Sequence, residues 1–574
     1  MKLLFRPRES RFVGEGTLPF GTYDDTEQWE PIYRCLEKGA AQFPDKRLFR
    51  VADRDGKIIE SFTWSESNGW ANRIANGLIQ ECGVKKGNTV GIYMLNSSEF
   101  VVSILAIHKV GGVQVPINKD EMGERLAYIV NYSDQEVLIT DGESFKLIEA
   151  IQGDLENLKH IFVARSEESL PEKLGNIEVH SFDYFDKFSS DNPEVSVDVA
   201  DAERCMFTSG TTGMPKGVSR NHGGVVLTVR GYLQMHGIRS DDILMSVLSL
   251  SHANAQVMCL FASIGSGAEC VFYPRFSASN FWKWCSESGA TTTNMLGSVS
   301  EYVWAAPESE YDQKHGIRTI LAGPAPKNKP EFEERFKTRV IDGYGSTEMG
   351  MVFWQYPEDF RTESSGFVCE GYYVELRDPD DIDKVITDYW DKDKYETPPD
   401  STKGLLFIKP LIPNTTLNQY FKDEKRTAEA FDSEGFFNSD DLFIRGIEDR
   451  FYFQGRYSRI RVSGENVDPN AVANYSSQHS NIREAIAVGI RLPNISDDEI
   501  KLNIMLKEGQ EFDHIEFCQW MAEKVPVYMI PRFIEVYDNF PLTSTQKFDM
   551  GLLKELSDNT WDRNESGLKF KTRK

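Results

Sequence analysis

The run Met206-Phe-Thr-Ser-Gly-Thr-Thr-Gly-Met-Pro-Lys-Gly-Val218 gathers chemistry into a short stretch. It carries hydroxyls at Thr208, Ser209, Thr211 and Thr212, glycines at Gly210, Gly213 and Gly217, and a cation at Lys216. Glycine-rich backbone can turn successive N–H groups toward an anion, and hydroxyls add further donors. Lys216 supplies a point charge. These residue types suit a phosphate group. The Gly-Lys-Ser/Thr order of a P-loop is absent. A flexible Ser/Thr/Gly linker has a similar composition, but its context would differ. Here apolar Cys205-Met-Phe207 leads into the run, and a helical pattern follows from Gly223.

A phosphate loop needs a frame, and the flanking sequence supplies one. Within residues 60–165, Ser65 to Cys82 has helical apolar spacing and Thr89-Val-Gly-Ile-Tyr-Met94 reads as a strand. Glu99 to Val110 is helical again, Val113-Gln-Val-Pro116 is extended, and Glu136-Val-Leu-Ile-Thr140 is a strand. That alternation predicts a parallel sheet covered by helices. It returns over 223–345, with strands at Ile243 to Leu248 and Glu269 to Tyr273. Asp378 to Lys403 is charged and proline-bearing and reads as a surface loop. Gly404 to Gly455 shifts to short strands, such as Gly404-Leu-Leu-Phe-Ile-Lys409 and Arg450-Phe-Tyr-Phe-Gln454. Ala485-Ile-Ala-Val-Gly489 and Leu502-Asn-Ile-Met-Leu506 open a further α/β segment.

Composition narrows the function classes. The 574 residues include 64 Lys+Arg and 89 Asp+Glu, a net charge of −25. That balance argues against a nucleic-acid partner, which needs clustered cations, and against anionic lipid. The first residues hold too short an apolar stretch for a signal peptide. Phe100 to Ile117 and Val257 to Tyr273 are broken by charge or glycine, so neither predicts a membrane span. The eight cysteines form no CxxC pair, which disfavours a structural zinc site built on them. Scattered single cysteines fit a reducing, cytoplasmic setting.

Four further blocks accompany the glycine-rich run. They are Asp342-Gly-Tyr-Gly-Ser-Thr-Glu348, Phe437-Asn-Ser-Asp-Asp-Leu442, Phe453-Gln-Gly-Arg-Tyr-Ser-Arg-Ile-Arg461 with Ser463-Gly-Glu-Asn-Val-Asp-Pro469, and Pro541-Leu-Thr-Ser-Thr-Gln-Lys547. In this order the chain resembles the adenylate-forming superfamily of acyl-CoA synthetases, nonribosomal adenylation domains and firefly luciferase. The likeness runs from about residue 30 to 555. Within the superfamily, Phe276-Ser-Ala-Ser-Asn-Phe-Trp282, Gly366 to Asp378 and Ser463-Gly-Glu-Asn-Val467 look like the crotonobetaine/carnitine–CoA ligase branch.

The resemblance implies an α/β fold in two domains. Residues 1–454 would form a large AMP-binding domain of stacked α/β subdomains plus a small β-barrel-like subdomain. Residues 455–574 would form a small mobile α+β domain pivoting at 456–458. It also implies roles. Thr208, Ser209, Gly210, Thr211, Thr212 and Lys216 would cradle the phosphates of ATP. Glu348 would hold Mg²⁺ through a carboxylate oxygen. Tyr344, with Gly345 beside it, would face adenine, and Thr347 would donate to the α-phosphate. Asp441 would accept both ribose hydroxyls, and Arg456 would contact ribose or phosphate. Lys547 would stabilise charge as a carboxylate attacks the α-phosphate. His252 would stand at the mouth of an acyl pocket, with Gly297 and the Ala322-Gly-Pro-Ala-Pro326 turn, including Gly323, lining the acyl and adenine pockets. Each residue type also has an ordinary use: a loop aspartate caps turns, an arginine makes surface ion pairs, and a lone histidine packs in a core.

The expected reaction joins a small carboxylic acid to AMP, releases pyrophosphate, and passes the acyl group to coenzyme A. An acceptor that is a carrier protein or an amine is the alternative, and a degenerate nucleotide-binding homologue is another. No carrier segment is evident after Lys547, and a homodimer is left open. Four positions depart from the family pattern. Asp440 replaces a glycine, Ser458 an acidic or basic pivot residue, Ser463 a glycine facing the thiol tunnel, and Gln546 the glycine before Lys547. A substrate bearing an ammonium group would need aromatic or acidic lining. Glu301, Tyr302 and Trp304 offer it, or else form one face of an amphipathic helix.

Overall fold

The computed structural model describes residues 29–208, 214–323, 325–326, 328–356, 361, 364–379, 381–391, 394, 398–456, 460–492, 495, 497–541 and 550–570, without the side chains of 400, 456, 466, 470 and 550. The chain forms two compact units. One contains residues up to 207, 217–295 and 302–455; the other contains 208–216, 296–301 and 456–574.

The first unit is built on two nine-stranded sheets. In one, Arg339–Ser346, Thr319–Gly323, Thr292–Leu296, Ile243–Ser246, Glu269–Phe272 and Arg47–Ala52 lie side by side. The pairings of Arg339–Ser346 with Thr319–Gly323, and from Thr292–Leu296 to Arg47–Ala52, are parallel. Antiparallel strands finish both margins: Ile58–Thr63 on one side, Gly350–Trp354 and Phe367–Val368 on the other. In the second sheet Ala202–Thr208, Val113–Pro116, Thr89–Tyr93, Val137–Asp141, His160–Ala164 and Ile177–Ser181 run parallel. Lys173–Leu174 closes one margin; Lys216–Asn221 and Leu417–Tyr420 close the other.

Local sequence accounts for these elements. The helix Trp64–Gln80 starts on a capping box, in which Thr63 accepts from the Glu66 N–H and Glu66 accepts from the Thr63 N–H. Ser97 caps the helix Ser98–Lys109 in the same way, by accepting from the Phe100 N–H at 3.1 Å. Every residue of Thr89–Tyr93 and Val113–Pro116 is buried, because parallel strands are covered on both faces.

Asp381–Val385 forms an edge strand of a third sheet, although the charged stretch Asp378 to Lys403 reads as a loop. It pairs with Tyr372–Asp378, Lys384 also donating to Asp378 Oδ2 at 2.8 Å, and all five of its residues are exposed. An edge strand needs no apolar face, and exposed charge protects it from further pairing. Lys403–Pro410, Phe437–Arg445 and Phe451–Arg456 complete this five-stranded sheet; among the described residues its order has two ends and is not a closed barrel.

The second unit is α+β. The four strands Ile482–Arg491, Asp498–Leu506, Phe533–Val536 and Trp561–Asp562 carry the helices Pro469–Ser476 and His514–Ala522. A small hairpin, Ile460–Val462 with Glu465–Val467, turns at Ser463-Gly464. Both turn residues have positive φ, 51° and 83°, as a type I′ turn demands. Ser463 thus holds a left-handed conformation that glycine would adopt at no steric cost. No helix among the described residues is long and apolar enough to cross a membrane.

Candidate active site

Tyr344 and Asp441 come from different sheets and meet. Tyr344 lies in Arg339–Ser346, and its hydroxyl donates to Asp441 Oδ2. Asp441 lies inside the strand Phe437–Arg445 and is almost fully buried, so it is a strand residue and not a loop cap. Its N–H donates to Ser439 Oγ at 3.2 Å, and Ser439 donates to the Leu406 carbonyl at 2.8 Å. Asp440, between them, has φ 62°. Glycine would adopt this left-handed region freely, and an aspartate tolerates it better than most residues. The Tyr344 ring stacks with Phe453 at 6.1 Å and meets Phe443 edge-on at 4.8 Å, giving one aromatic cluster.

The turn after Tyr344 carries Thr347 and Glu348. Gly345 makes this hairpin possible: a Cβ there would lie 2.3 Å from the Gly350 carbonyl oxygen. The register also shifts between Tyr344 and Gly345, which re-aims the turn. Glu348 is buried, and its Oε1 accepts from the Tyr420 hydroxyl at 3.2 Å. The hairpin is tied down by Arg220, which donates to the Thr415 carbonyl at 2.6 Å and approaches the Thr347 carbonyl at 3.5 Å. Burial lowers the Arg220 guanidinium to about 10, with Arg204 adding to the effect; it stays a cation at neutral pH. Arg220 and Tyr420 escape the motif blocks. The one available signal was an arginine set inside the otherwise covered strand Lys216–Asn221.

The phosphate-loop residues fall at strand ends. Thr208 ends Ala202–Thr208, and its Oγ1 is buried without a hydrogen-bond partner. Lys216 opens Lys216–Asn221 and is buried. Ser209, Gly210, Thr211 and Thr212 lie outside the described residues, as do Ser458, Gln546 and Lys547. Arg456 ends Phe451–Arg456, and its side chain also lies outside them.

His252 precedes a short helix, Ala253–Ala255, that continues as a π-helical segment, Gln256–Phe261. Such segments recur at functional sites. The approach to His252 is held from both sides. Asn96 donates to the Leu248 and Tyr273 carbonyls at 2.8 and 3.0 Å and accepts from the Leu250 N–H at 2.7 Å. Gln256 donates to the Leu250 carbonyl at 2.7 Å and exchanges amide hydrogen bonds with Gln114 at 3.0 and 3.1 Å. All three are buried; Gln256 is four residues beyond His252, whereas Asn96 and Gln114 lie more than 130 residues before it, in parts of the chain that no motif marks.

The family model for AMP-binding enzymes matches residues 36–387, more than half of the chain. The protein belongs to this family. It is 28% identical over 509 residues to the crotonobetaine/carnitine–CoA ligase of Escherichia coli (strain K12 / DH10B), covering 87% of this chain and 94% of that one. Against the ligase of the same name from Salmonella paratyphi A (strain ATCC 9150 / SARB42) the identity is 29% over 520 residues, covering 88% and 96%. In fold it is similar to a double mutant of o-succinylbenzoate CoA synthetase from Bacillus subtilis, with a TM-score of 0.73, 20% identity, and 93% and 99% of the two chains covered.

In this AMP-binding enzyme Gly323 ends the strand Thr319–Gly323 and Gly297 opens the helix Gly297–Ala305. Further along that helix Trp304 does not offer a free ring to a substrate cation. The guanidinium of Arg335 sits 5.5 Å over it, and Phe332 and Phe336 pack beside it. Tyr302 is 61% exposed and touches Phe276. A cleft of about 760 Å³ opens beside Trp304, lined also by Asp312 and Arg335, and holds none of the site residues.

Proposed function

We propose that this AMP-binding enzyme is an ATP-dependent acid–CoA ligase. The observation that carries the reading is the Tyr344–Asp441 hydrogen bond beside an aromatic cluster, which brings together two motif blocks: a ring to pack on a base and a carboxylate to accept hydroxyls. In the first half-reaction a substrate carboxylate oxygen bonds to the α-phosphorus of ATP, and pyrophosphate leaves. In the second, the thiol of coenzyme A attacks the acyl carbon; AMP leaves and the thiol proton is released.

The chain's own groups fit this chemistry, which asks for alignment and charge neutralisation more than for a strong acid or base. Tyr344 packs against adenine, with Gly345 giving the backbone room, and Asp441 accepts the ribose hydroxyls. Thr208 has a buried hydroxyl ready to donate to phosphate; Ser209, Gly210, Thr211, Thr212 and Lys216 extend that cradle, and Thr347 donates to the α-phosphate. Glu348 presents the carboxylate oxygen a hard cation such as Mg²⁺ requires; the bound ion would neutralise phosphate charge. Arg456 steadies the nucleotide and Lys547, in the domain spanning 455–574, stabilises charge on the reacting oxygens. His252 orients the acid, and Gly297 and Gly323 border its pocket. The names of the curated relatives favour a betaine-like acid, although Trp304 is already engaged by Arg335.

The test mixes purified protein with ATP, Mg²⁺ and a panel of betaines, short and medium acids, and aromatic acids. Acid-dependent pyrophosphate exchange and CoA-dependent AMP release are expected. Release of AMP with an amine or carrier protein but not with CoA would replace the thiol acceptor. Exchange at background with every acid would favour a nucleotide-binding protein without turnover.

A further inference from the structure

A second cluster lies toward the opposite margin of the nine-stranded sheet that carries Thr208 and Lys216, with three strands between Ala202–Thr208 and His160–Ala164. His160–Ala164 and Ile177–Ser181 are parallel neighbours with His160 opposite Glu178 and Phe162 opposite His180. Alternation along a strand sends every second side chain to one face. His160, Glu178 and His180 therefore share a face. The structure bears this out: Glu178 Oε2 lies 3.4 Å from His160 Nδ1 and 3.7 Å from His180 Nε2. Both of these ring nitrogens are buried, and neither makes a hydrogen bond. One ligand atom from each residue falls within 4.8 Å of the other two.

We propose that His160, Glu178 and His180 bind a divalent transition-metal ion of the zinc class. Two imidazoles and a carboxylate suit Zn²⁺, Co²⁺ or Ni²⁺; an all-oxygen shell, which Mg²⁺ prefers, is not offered. Zinc holds such ligands at about 2.0–2.2 Å, so atoms of a tetrahedral shell stand roughly 3.3–3.6 Å apart. The separations of 3.4 and 3.7 Å from Glu178 already sit near that range, and the two ring nitrogens lie within 4.8 Å of each other. The rings are also held in orientation: His180 stacks on Phe162 at 5.2 Å and packs on Tyr184 at 4.4 Å, while Phe162 stacks on Phe185 at 4.2 Å. The neighbouring charges are Lys159, next to His160, and Lys173, register partner of Glu178, with Glu81 contributing negative potential at His160. An ion here would add a side-chain clamp to two strands already paired in the sheet, whose connection, 165–176, folds back on Ile177–Ser181 through Lys173–Leu174 and through the Val179 N–H, which donates to the Glu172 carbonyl at 3.1 Å. Its role is structural and independent of adenylation.

The experiment uses the full chain, stripped with a chelator and titrated with Zn²⁺ alone, then with Zn²⁺ in excess Mg²⁺. One Zn²⁺ per chain is expected, unaffected by Mg²⁺, together with a tetrahedral visible spectrum when Co²⁺ is substituted. Loss of a group that merely orients a ligand costs about 10–100-fold in metal affinity, so loss of a ligand should exceed roughly 100-fold. His180→Phe keeps an aromatic ring between Phe162 and Tyr184 and should lose the ion while remaining folded by circular dichroism. Glu178→Gln serves as the second variant should that packing fail. Chelation should lower the Tm of the wild type and leave that of His180→Phe unchanged. Wild-type protein that takes up no Zn²⁺, or a His180→Phe or Glu178→Gln variant that binds it as the wild type does, overturns the proposal.

Discussion

The sheet margin at Arg339–Ser346 and Gly350–Trp354 and the margin at His160–Ala164 and Ile177–Ser181 finish sheets of the same construction. Both have parallel strands at their centres and an antiparallel strand at the end. They differ in how they hold polar groups. At the first, Tyr344 is tied to Asp441, Glu348 to Tyr420, and the turn to Arg220. At the second, two imidazoles and a carboxylate converge without hydrogen bonds between them. Hydrogen-bonded, buried polar groups are set in one geometry before a ligand arrives, which suits a reaction that depends on alignment. Convergent groups left unbonded suit a ligand that supplies the missing charge. Equal sheet architecture does not dictate equal chemistry; the two margins differ in the satisfaction of their polar atoms.

The largest break in this comparison should come from Lys547→Ala. If chemistry belongs to the first margin, acid-dependent pyrophosphate exchange should fall by about 100- to 1000-fold, the usual size of a lost charge-stabilising contact. Exchange left intact would remove Lys547 from the mechanism. His180→Phe should leave exchange at the wild-type rate in the same assay.

Gly345→Ala comes next. The added Cβ would strike the Gly350 carbonyl at 2.3 Å, backbone against backbone, so the hairpin must shift. A loss of about 2–4 kcal/mol in unfolding free energy is expected, with most of the activity. A chemical-denaturation midpoint equal to the wild type's would show that the turn accommodates a side chain.

Asp441→Asn isolates the nucleoside contact. A hydrogen bond to a charged group contributes roughly 1.5–3 kcal/mol, so the KM for ATP should rise about 10- to 100-fold. The KM for the acid should hardly change. A rise confined to the acid would place Asp441 elsewhere in the site.

The last effect concerns the acid side of stability. His236, at the end of the helix His222–His236, is fully enclosed against Tyr232 and lies 3.1 Å from Thr319 of the first sheet. Burial, with Arg318 adding to it, lowers its pKa to about 3. A depressed folded-state value means that the unfolded chain takes up a proton first as pH falls. The stability is full above about 6.5 and is lost on the way down toward about 3. Between pH 7 and 4.5 that loss is about 2–3 kcal/mol from this one group. His236→Gln should show a shallower decline in denaturation midpoints over the same window. Equal slopes would show that His236 reaches solvent.

The five motif blocks were legible because each concentrates rare residue types at fixed spacing, and the parallel order was legible from alternating helical and extended periodicity. Val113 to Pro116 was read with the bounds the structure shows. Asp381–Val385 was not, because an exposed edge strand has no apolar alternation to detect. Nor was the frame around His252: Asn96 and Gln114 act on it from 152 and 142 residues away from their partners Leu248 and Gln256, and no local pattern marks them.

What the sequence determined by itself is the family and the order of the chemical groups, whereas the backbone conformation at two departures from the family pattern came only with the structure. Asp440 and Ser463 occupy glycine positions of the family pattern, and both have positive φ. Only the tertiary structure decided which of those groups touch. Tyr344 meets Asp441 across 97 residues, and His160 faces Glu178 by a strand register. Motifs are local statements about residue types, whereas contacts across a sheet follow from chain crossovers and register, which the packing of the whole core selects.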